Sequence, residues 1–385
     1  MKSNYRKLGE FIRQVDVRNV EGKKENLLGV SVQKIFIPSI ANTVGTDFTK
    51  YKVVKKGQFT YIPDTSRRGD KIGIALLEEY EEGLVSNVYT VFEIIDENKL
   101  LPKYLMLWFN RPEFDRYARF KSHGSVREVM DWEEMCNVEL PVPDIKKQRE
   151  IVNSYKVISD RIKFKQKIND NLVAALQAVY KKMFVESQYS YEIKRLSELC
   201  SKIGSGATPK GGKTAYINTG IALIRSTNVF DYIFSYPQLA HITQEQAVAL
   251  SNVEIQRSDV LFNITGVSVA RCCIVPDDVL PARVNQHVMI VRPYAGEYMS
   301  YFIMCTLCTP ENKAKLLSIG QSGSTREAIN KQELEGFEIP VPANKELEEF
   351  GTVAATVYSQ IHLNSQEIQI LDSLKGTFLT QLSSY

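Results

Sequence analysis

The chain repeats itself at long range, and few folds satisfy a repeat of that length. Gly124-Ser125-Val126-Arg127-Glu128 returns as Gly323-Ser324-Thr325-Arg326-Glu327, and Leu140-Pro141-Val142-Pro143 returns as Ile339-Pro340-Val341-Pro342, both at an offset of 199. Earlier in each copy the offset drifts, as loop insertions require. Lys7-Leu8-Gly9-Glu10 resembles Arg195-Leu196-Ser197-Glu198 at 188, and the stretch 55–61 resembles 256–262 at 201. Copies this long are whole domains, not the short stacking units of a solenoid. A chain of 385 residues holds two of them.

Each copy closes on a long amphipathic stretch. Ile151, Tyr155, Ile158, Ile162, Lys165, Asn169, Leu172, Leu176, Val179 and Met183 alternate steps of four and three, and eight of the ten are apolar. Adding 199 gives Phe350, Ala354, Val357, Ile361, Asn364, Ile368, Leu371, Lys375, Phe378 and Leu382, again with eight apolar. That spacing is a coiled-coil seam. The prolines before each stretch stop the preceding strand and start the helix sharply. At 1.5 Å per residue each seam spans roughly 50 Å. Equal seams in one register predict an antiparallel pair, in which Lys165 and Asn364 meet near the centre. The alternative is two amphipathic helices, each lying on its own domain.

Charge divides along the same boundaries. Residues 1–145 carry 22 basic and 22 acidic side chains and residues 188–342 carry 14 of each, whereas residues 146–187 are net +6 and residues 343–385 net −3. Opposite signs on the two helices favour mutual pairing over self-pairing. Hydrophobic residues make up 44%, enough for packed cores. No apolar run reaches membrane-spanning length and no signal-peptide core follows Met1, so a cytoplasmic protein is expected. The six cysteines lack a disulfide pattern; Cys305 and Cys308 have CxxC spacing but lie in an apolar run, which predicts a buried helix over a metal site.

Before each helix the pattern is mixed. Short β-rich runs at 28–32, 53–54 with 58–62, and 88–92, and at 221–224, 260–264 and 287–291, read as strands. Helical stretches come next, at 102–109 and 113–120 in one copy and at 298–308 and 311–317 in the other. The expected fold class is α/β: two pseudo-symmetric α/β domains separated by two long helices forming an antiparallel coiled coil. The expected division is 1–144, 145–187, 188–342 and 343–385.

This layout resembles the DNA-specificity subunits of type I restriction-modification systems. Local phrases carry the likeness: Lys7-Leu8-Gly9-Glu10, Ser205-Gly206-Ala207-Thr208-Pro209, Ala222-Leu223-Ile224-Arg225-Ser226-Thr227-Asn228, the run from Ser258 to Gly266, and Gly323-Ser324-Thr325-Arg326-Glu327. The first domain departs from the pattern, with the run from Tyr61 to Lys71 in place of a Phe-Asn-x-Thr-Gly phrase. The resemblance implies that each domain reads one half of a split double-stranded DNA site. It implies two methylating modification subunits docked on the helices, and restriction subunits that cleave. S-adenosylmethionine, ATP and Mg would then sit on those partners, with no cofactor, metal or catalytic residue on this chain and no membrane partner.

The motifs agree with a reader. No adenine-methyltransferase tetrad, glycine-rich cofactor loop or nuclease carboxylate set is present. One stretch argues for an enzyme, a P-loop NTPase: residues 207–214 fit a loose Walker A pattern. Its flanks argue against it, because residues 200–205 read as a polar loop and Gly220 interrupts any subsequent helix. Base readout needs Arg, Lys, Asn, Gln, Ser or Thr presented on loops and strand ends. The candidates are Ser31, Gln33, Lys34, Arg67, Arg68 and Lys71 in the first domain, and Arg225, Ser226, Asn228, Asn263, Thr265 and Arg271 in the second.

Overall fold

The structure, a computed structural model, describes residues 5–40, 43–64, 71–122, 128–187, 191–321 and 327–384. The chain divides into two compact units, Met1–Arg161 with Leu371–Tyr385, and Ile162–Ile370. Both boundaries run through the long helices, so each unit holds one large domain and part of both helices.

In the first unit β1 (Tyr5–Lys7) is an edge strand, and β2 (Ile12–Val15) opens the main sheet. Then come β3 (Leu28–Val30), β4 (Phe36–Pro38), β5 (Lys52–Lys55), β6 (Phe59–Tyr61), β7 (Ile74–Leu76), β8 (Glu82–Val85), β9 (Thr90–Ile94) and β10 (Glu139–Pro141). The four-stranded sheet has the order β2-β9-β6-β7, all antiparallel. Strands β3 and β4 form a hairpin, β5 pairs with β8, and β1 pairs with β10. Between β9 and β10 lie helices α1 (Pro102–Phe109), α2 (Pro112–Ser122) and the short α3 (Trp132–Cys136). Aromatic residues fill the core. Phe59 stacks on Phe92 at 4.9 Å, and Phe109 from α1 meets both edge-on at 5.8 and 6.3 Å.

The second unit repeats the plan. Strand β11 (Glu192–Arg195) leads into α5 (Leu196–Leu199), β12 (Cys200–Ser205), β13 (Ile221–Ile224), β14 (Ala240–Ile242) and α6 (Gln244–Ala249). Strands β15 (Val260–Asn263), β16 (Cys272–Ile274), β17 (Ala282–Val284) and β18 (Val288–Pro293) complete its sheets. Helices α7 (Glu297–Leu307), α8 (Pro310–Gln321) and α9 (Lys331–Glu335) precede β19 (Glu338–Val341). The main sheet runs β12-β18-β15-β16, the order of the first unit position for position, and β11 pairs with β19 as β1 does with β10. A three-stranded sheet, β14-β13-β17, adds a parallel β13–β17 pair.

The recurring phrases are structural joints. In the first unit Lys7 N–H donates to Glu10 Oε1 at 3.2 Å, and Leu8 N–H reaches Val138 O at 2.8 Å. In the second, Arg195 N–H donates to Glu198 Oε2 at 2.7 Å, and Leu196 N–H reaches Phe337 O at 3.0 Å. Each phrase thus pins the start of its domain to its end, a capping arrangement that satisfies otherwise orphaned amides.

Helix α4 (Ile145–Tyr180), extended by a π-helical turn Lys181–Val185, and helix α10 (Asn344–Gln381) are the two long elements. All twenty seam positions are buried or half-buried. Within the second unit Tyr180 meets Phe350 at 5.8 Å while Asn169 bonds Asn364, so the helices run antiparallel. Within the first unit Tyr155 meets Phe378 at 6.0 Å, and Ile151 shares a core with Leu379 and Leu382. Gly351 permits α10 to seat on the second domain, since a Cβ there would lie 2.2 Å from the Tyr298 ring. Cys305 and Cys308, on and at the end of α7, are buried, with Cys308 Sγ 3.4 Å from Cys272 Sγ and both thiols free. Contact with Cys272 and burial raise the Cys308 thiol well above its usual range.

Candidate nucleic-acid interface

In the second unit four loops meet at one edge of the sheets. Their backbones hold them together: Gly206 N–H donates to Val288 O at 3.1 Å, Ala207 N–H to Val284 O at 3.2 Å, Asn285 N–H to Ile224 O at 3.0 Å, and Ile264 N–H to His287 O at 3.1 Å. The first loop lies so close to Val284 that a Cβ on residue 206 would sit 1.9 Å from its carbonyl oxygen, so only glycine fits. The turn at Gly266 has φ +67° and presents Val267 almost wholly to solvent.

Across this edge runs a chain of polar side chains. Thr208 Oγ1 donates to Gln286 Oε1; Gln286 Nε2 lies 3.1 Å from His287 Nε2; His287 Nδ1 lies 2.8 Å from Thr265 Oγ1. Thr208 and Gln286 are exposed at this edge, whereas His287 and Thr265 are half-buried. These are residue types that hydrogen-bond base edges. Thr265 alone among them was a candidate from sequence. Gln286 and His287 were legible in principle: Asn285-Gln286-His287 is a polar break between two buried apolar strands. The expected strand 287–291 hid it, because β18 starts one residue later, at Val288.

The other candidates in this unit separate into two kinds. Arg225 and Arg271 are half-buried at the rim: Arg225 donates to Gln238 O and lies 5.5 Å from the Tyr216 ring, and Arg271 lies 5.0 Å from the half-exposed Phe230 ring. Ser226 stays near the surface, its carbonyl taken by Asn263 Nδ2 at 3.0 Å. Asn228 and Asn263 do not reach solvent, which corrects their assignment as readers. Asn228 donates to Ser235 O at 2.9 Å and accepts from Arg225 N–H at 3.1 Å, so both asparagines fasten the loops from within.

In chain order the hairpin turn after β3 corresponds to the turn after β13. Gln33 is exposed there and Ser31 half-buried, its Oγ accepting from Gln33 N–H at 3.2 Å. Lys34 is corrected. With φ +63° it turns inward, its ammonium 2.9 Å from Asp115 Oδ1 and bonded to Phe109 O. Burial lowers its pKa, opposed by Asp115. It ties the hairpin to α2 and offers nothing to a phosphate. Lys52, part of the basic stretch 50–71, is likewise buried and donates to Tyr89 O at 2.9 Å. Lys71 is exposed. Arg67 and Arg68 lie outside the described residues, as do residues 124–127 and 323–326 of the repeated glycine-serine phrases.

Residues 207–214 do not form a phosphate cradle. The expected polar loop at 200–205 is in fact strand β12, an edge strand with one face in water, which is why its polar residues misled. Downstream the motif runs only into a single 3-10 turn, Gly212–Ala215, so there is no helix N-terminus to hold a nucleotide's phosphates. Among the described residues no cluster of His, Cys, Asp and Glu could hold a metal, and no helix is long and apolar enough to cross a membrane.

No family model matches the chain. In sequence it is 21% identical over 310 residues to the MjaIX type I restriction enzyme specificity subunit of Methanocaldococcus jannaschii, spanning 75% of this chain and 70% of that one. It is 25% identical over 137 residues to the HindI type I specificity subunit of Haemophilus influenzae, spanning 35% and 29%. In fold it is similar to the S subunit of a type I restriction-modification system from M. genitalium, with a TM-score of 0.56 over 98% of this chain and 95% of that one at 14% identity. The same plan of two α/β domains and two long helices is therefore shared with that class of protein.

Proposed function

We propose that this chain, a type I restriction-modification specificity subunit by its relatives, reads a bipartite DNA site, one half with each large domain. The observation that carries the reading is the repeated architecture. Two domains share a sheet order and the same pinned joints but present different loop residues, Ser31 and Gln33 in one, Thr208, Thr265, Gln286 and His287 in the other. Two similar frames with different faces suit two different half-sites.

The chain itself is a recognition subunit and not an enzyme. Methylation and cleavage belong to modification and restriction subunits, which bring S-adenosylmethionine, ATP and Mg; the paired helices are the surface on which the modification subunits dock. The domains correspond to 1–144 and 188–342, with 145–187 and 343–385 as the helical spacers, and the complex works in the cytoplasm. Both domains are near neutral in charge, and counterion release scales with the number of phosphates neutralised. The isolated chain therefore binds DNA weakly, and tight binding needs the modification subunits.

The test is a domain exchange. Residues 191–342 are replaced by the second domain of another specificity subunit, and methylated sites are sequenced in cells that also express the cognate modification subunit. One half of the methylated motif is expected to change and the other to stay. A change in both halves, or in neither, would refute independent reading.

A further inference from the structure

We propose that Gln286 reads an adenine in the half-site of the second domain, held in the required pose by Thr208 on one side and His287 on the other. This rests on the DNA-reading role above and adds the base.

The argument is one of hydrogen-bond valence. Thr208 Oγ1 donates to Gln286 Oε1, which fixes the oxygen end of the amide. The nitrogen end lies 3.1 Å from His287 Nε2. An amide NH2 only donates, so His287 Nε2 is the acceptor. A neutral imidazole then carries its hydrogen on Nδ1, which donates to Thr265 Oγ1 at 2.8 Å. The chain has one direction, from Thr208 through Gln286 and His287 to Thr265.

Among the described residues Gln286 has one further valence at each end without a partner: a second lone pair on Oε1 and a second N–H on Nε2. Its side chain is exposed, so both are available. A base that satisfies them together must present a donor beside an acceptor. In the major groove adenine does so, with its N6 amine and N7; guanine presents two acceptors, cytosine a donor alone, and thymine an acceptor beside a methyl. The supports are rigid. The loop bearing Thr208 is pinned at Gly206, and His287 N–H donates to Asn285 Oδ1 at 3.1 Å. Little side-chain freedom remains to be lost on binding. Arg225 is less suited, because its guanidinium already serves Gln238 O and faces the Tyr216 ring.

Sequencing of methylated sites in cells expressing the chain with its modification subunit decides the matter. The half assigned to the second domain by the domain exchange is expected to contain an A·T pair whose discrimination falls about ten- to hundredfold in Gln286→Ala, other positions holding. Gln286→Glu, which only accepts, is expected to shift that position towards cytosine, whose N4 amine donates. Thr208→Val should relax the same position more weakly, and Thr208→Ser should preserve it. An unchanged motif in Gln286→Ala overturns the proposal. So does an equal fall at all sites, the mark of a phosphate contact or a structural residue. Absence of any split motif with the unaltered chain would instead overturn the DNA-reading role.

Discussion

Asp259 carries a carboxylate with none of its surface in water. It is held by the Arg292 guanidinium, Nε and Nη2 each 2.7 Å from an oxygen, and by the Gln256 N–H at 2.7 Å. In the first domain Gln58 takes the same place: its Oε1 accepts from Lys55 N–H at 2.7 Å and its Nε2 donates to Glu93 at 2.7 Å. The turn is kept, with positive φ at Gly57 and Ser258, while the charge has moved to the facing strand. Losing one charge of a buried ion pair costs more than losing a hydrogen bond from a neutral donor. Asp259→Asn is therefore expected to destabilise the second unit by about 2–4 kcal/mol, and Gln58→Ala the first by about 1–2 kcal/mol. Urea unfolding of each variant measures this; an unmoved midpoint for Asp259→Asn would show that the pair contributes nothing net. The sequence match at offset 201 aligns these two residues but not their partners, which come from strands more than thirty residues away. Asn228, Asn263 and Lys34 were misjudged for a related reason. The polar groups that read bases are the same groups that satisfy buried loop carbonyls, and composition does not tell them apart.

At the scale of elements the long helices were the most legible part, because a seam of period 3.5 leaves its mark on every turn. Counting along that seam places Lys165 and Asn364 each within about a turn of the centre, and the ammonium lies 3.0 Å from Asn364 Oδ1. The sequence did not reveal how complete the polar node is. Asn364 Nδ2 donates to Asn169 Oδ1 at 2.8 Å, and Lys165 also pairs with Glu367 at 2.8 Å. Asn169 and Asn364 are almost fully buried. A satisfied polar node in an apolar seam selects one register at a cost in stability. Asn364→Ala would strand the Asn169 amide oxygen and one bond of Lys165, and is expected to destabilise the chain by about 2–3 kcal/mol. Replacing Lys165, Asn169 and Asn364 together by leucine is expected to be neutral or stabilising, since nothing polar is left unpaired among the three. If the triple variant is less stable than Asn364→Ala by urea unfolding, the node is a net source of stability and not a register lock. Short edge strands were the least legible elements. Strand β12 exposes Ser201 and Ser205, and an edge strand half in water has the composition of a loop.

At the scale of the molecule, the duplication was plain and the strand order was not. The order depends on non-local pairings, such as β2 with β9 and β12 with β18, that leave no periodic trace. The two units are also built from the chain in unlike ways. The second is an unbroken stretch, Ile162–Ile370, but the first is completed by Leu371–Tyr385, whose Leu382 is wholly buried beside Leu8 and Ile151. Removing residues 371–385 would uncover the surface that Leu379, Leu382 and Phe378 cover, a loss on the order of 4–6 kcal/mol of burial. Hydrogen exchange should then show the first unit unprotected and the second intact; joint loss of protection would mean that the two do not fold separately, and no loss that residues 371–385 do not complete the first. A ribosome delivers residues in order, and domains fold as they emerge. Residues 1–161 must therefore wait for residues 371–385, holding open the site that α10 will fill, while the second unit, 162–370, is delivered ahead of that completion. Synthesis and completion run in opposite directions along this chain, and a prematurely terminated product would carry a finished second domain beside an unfinished first one.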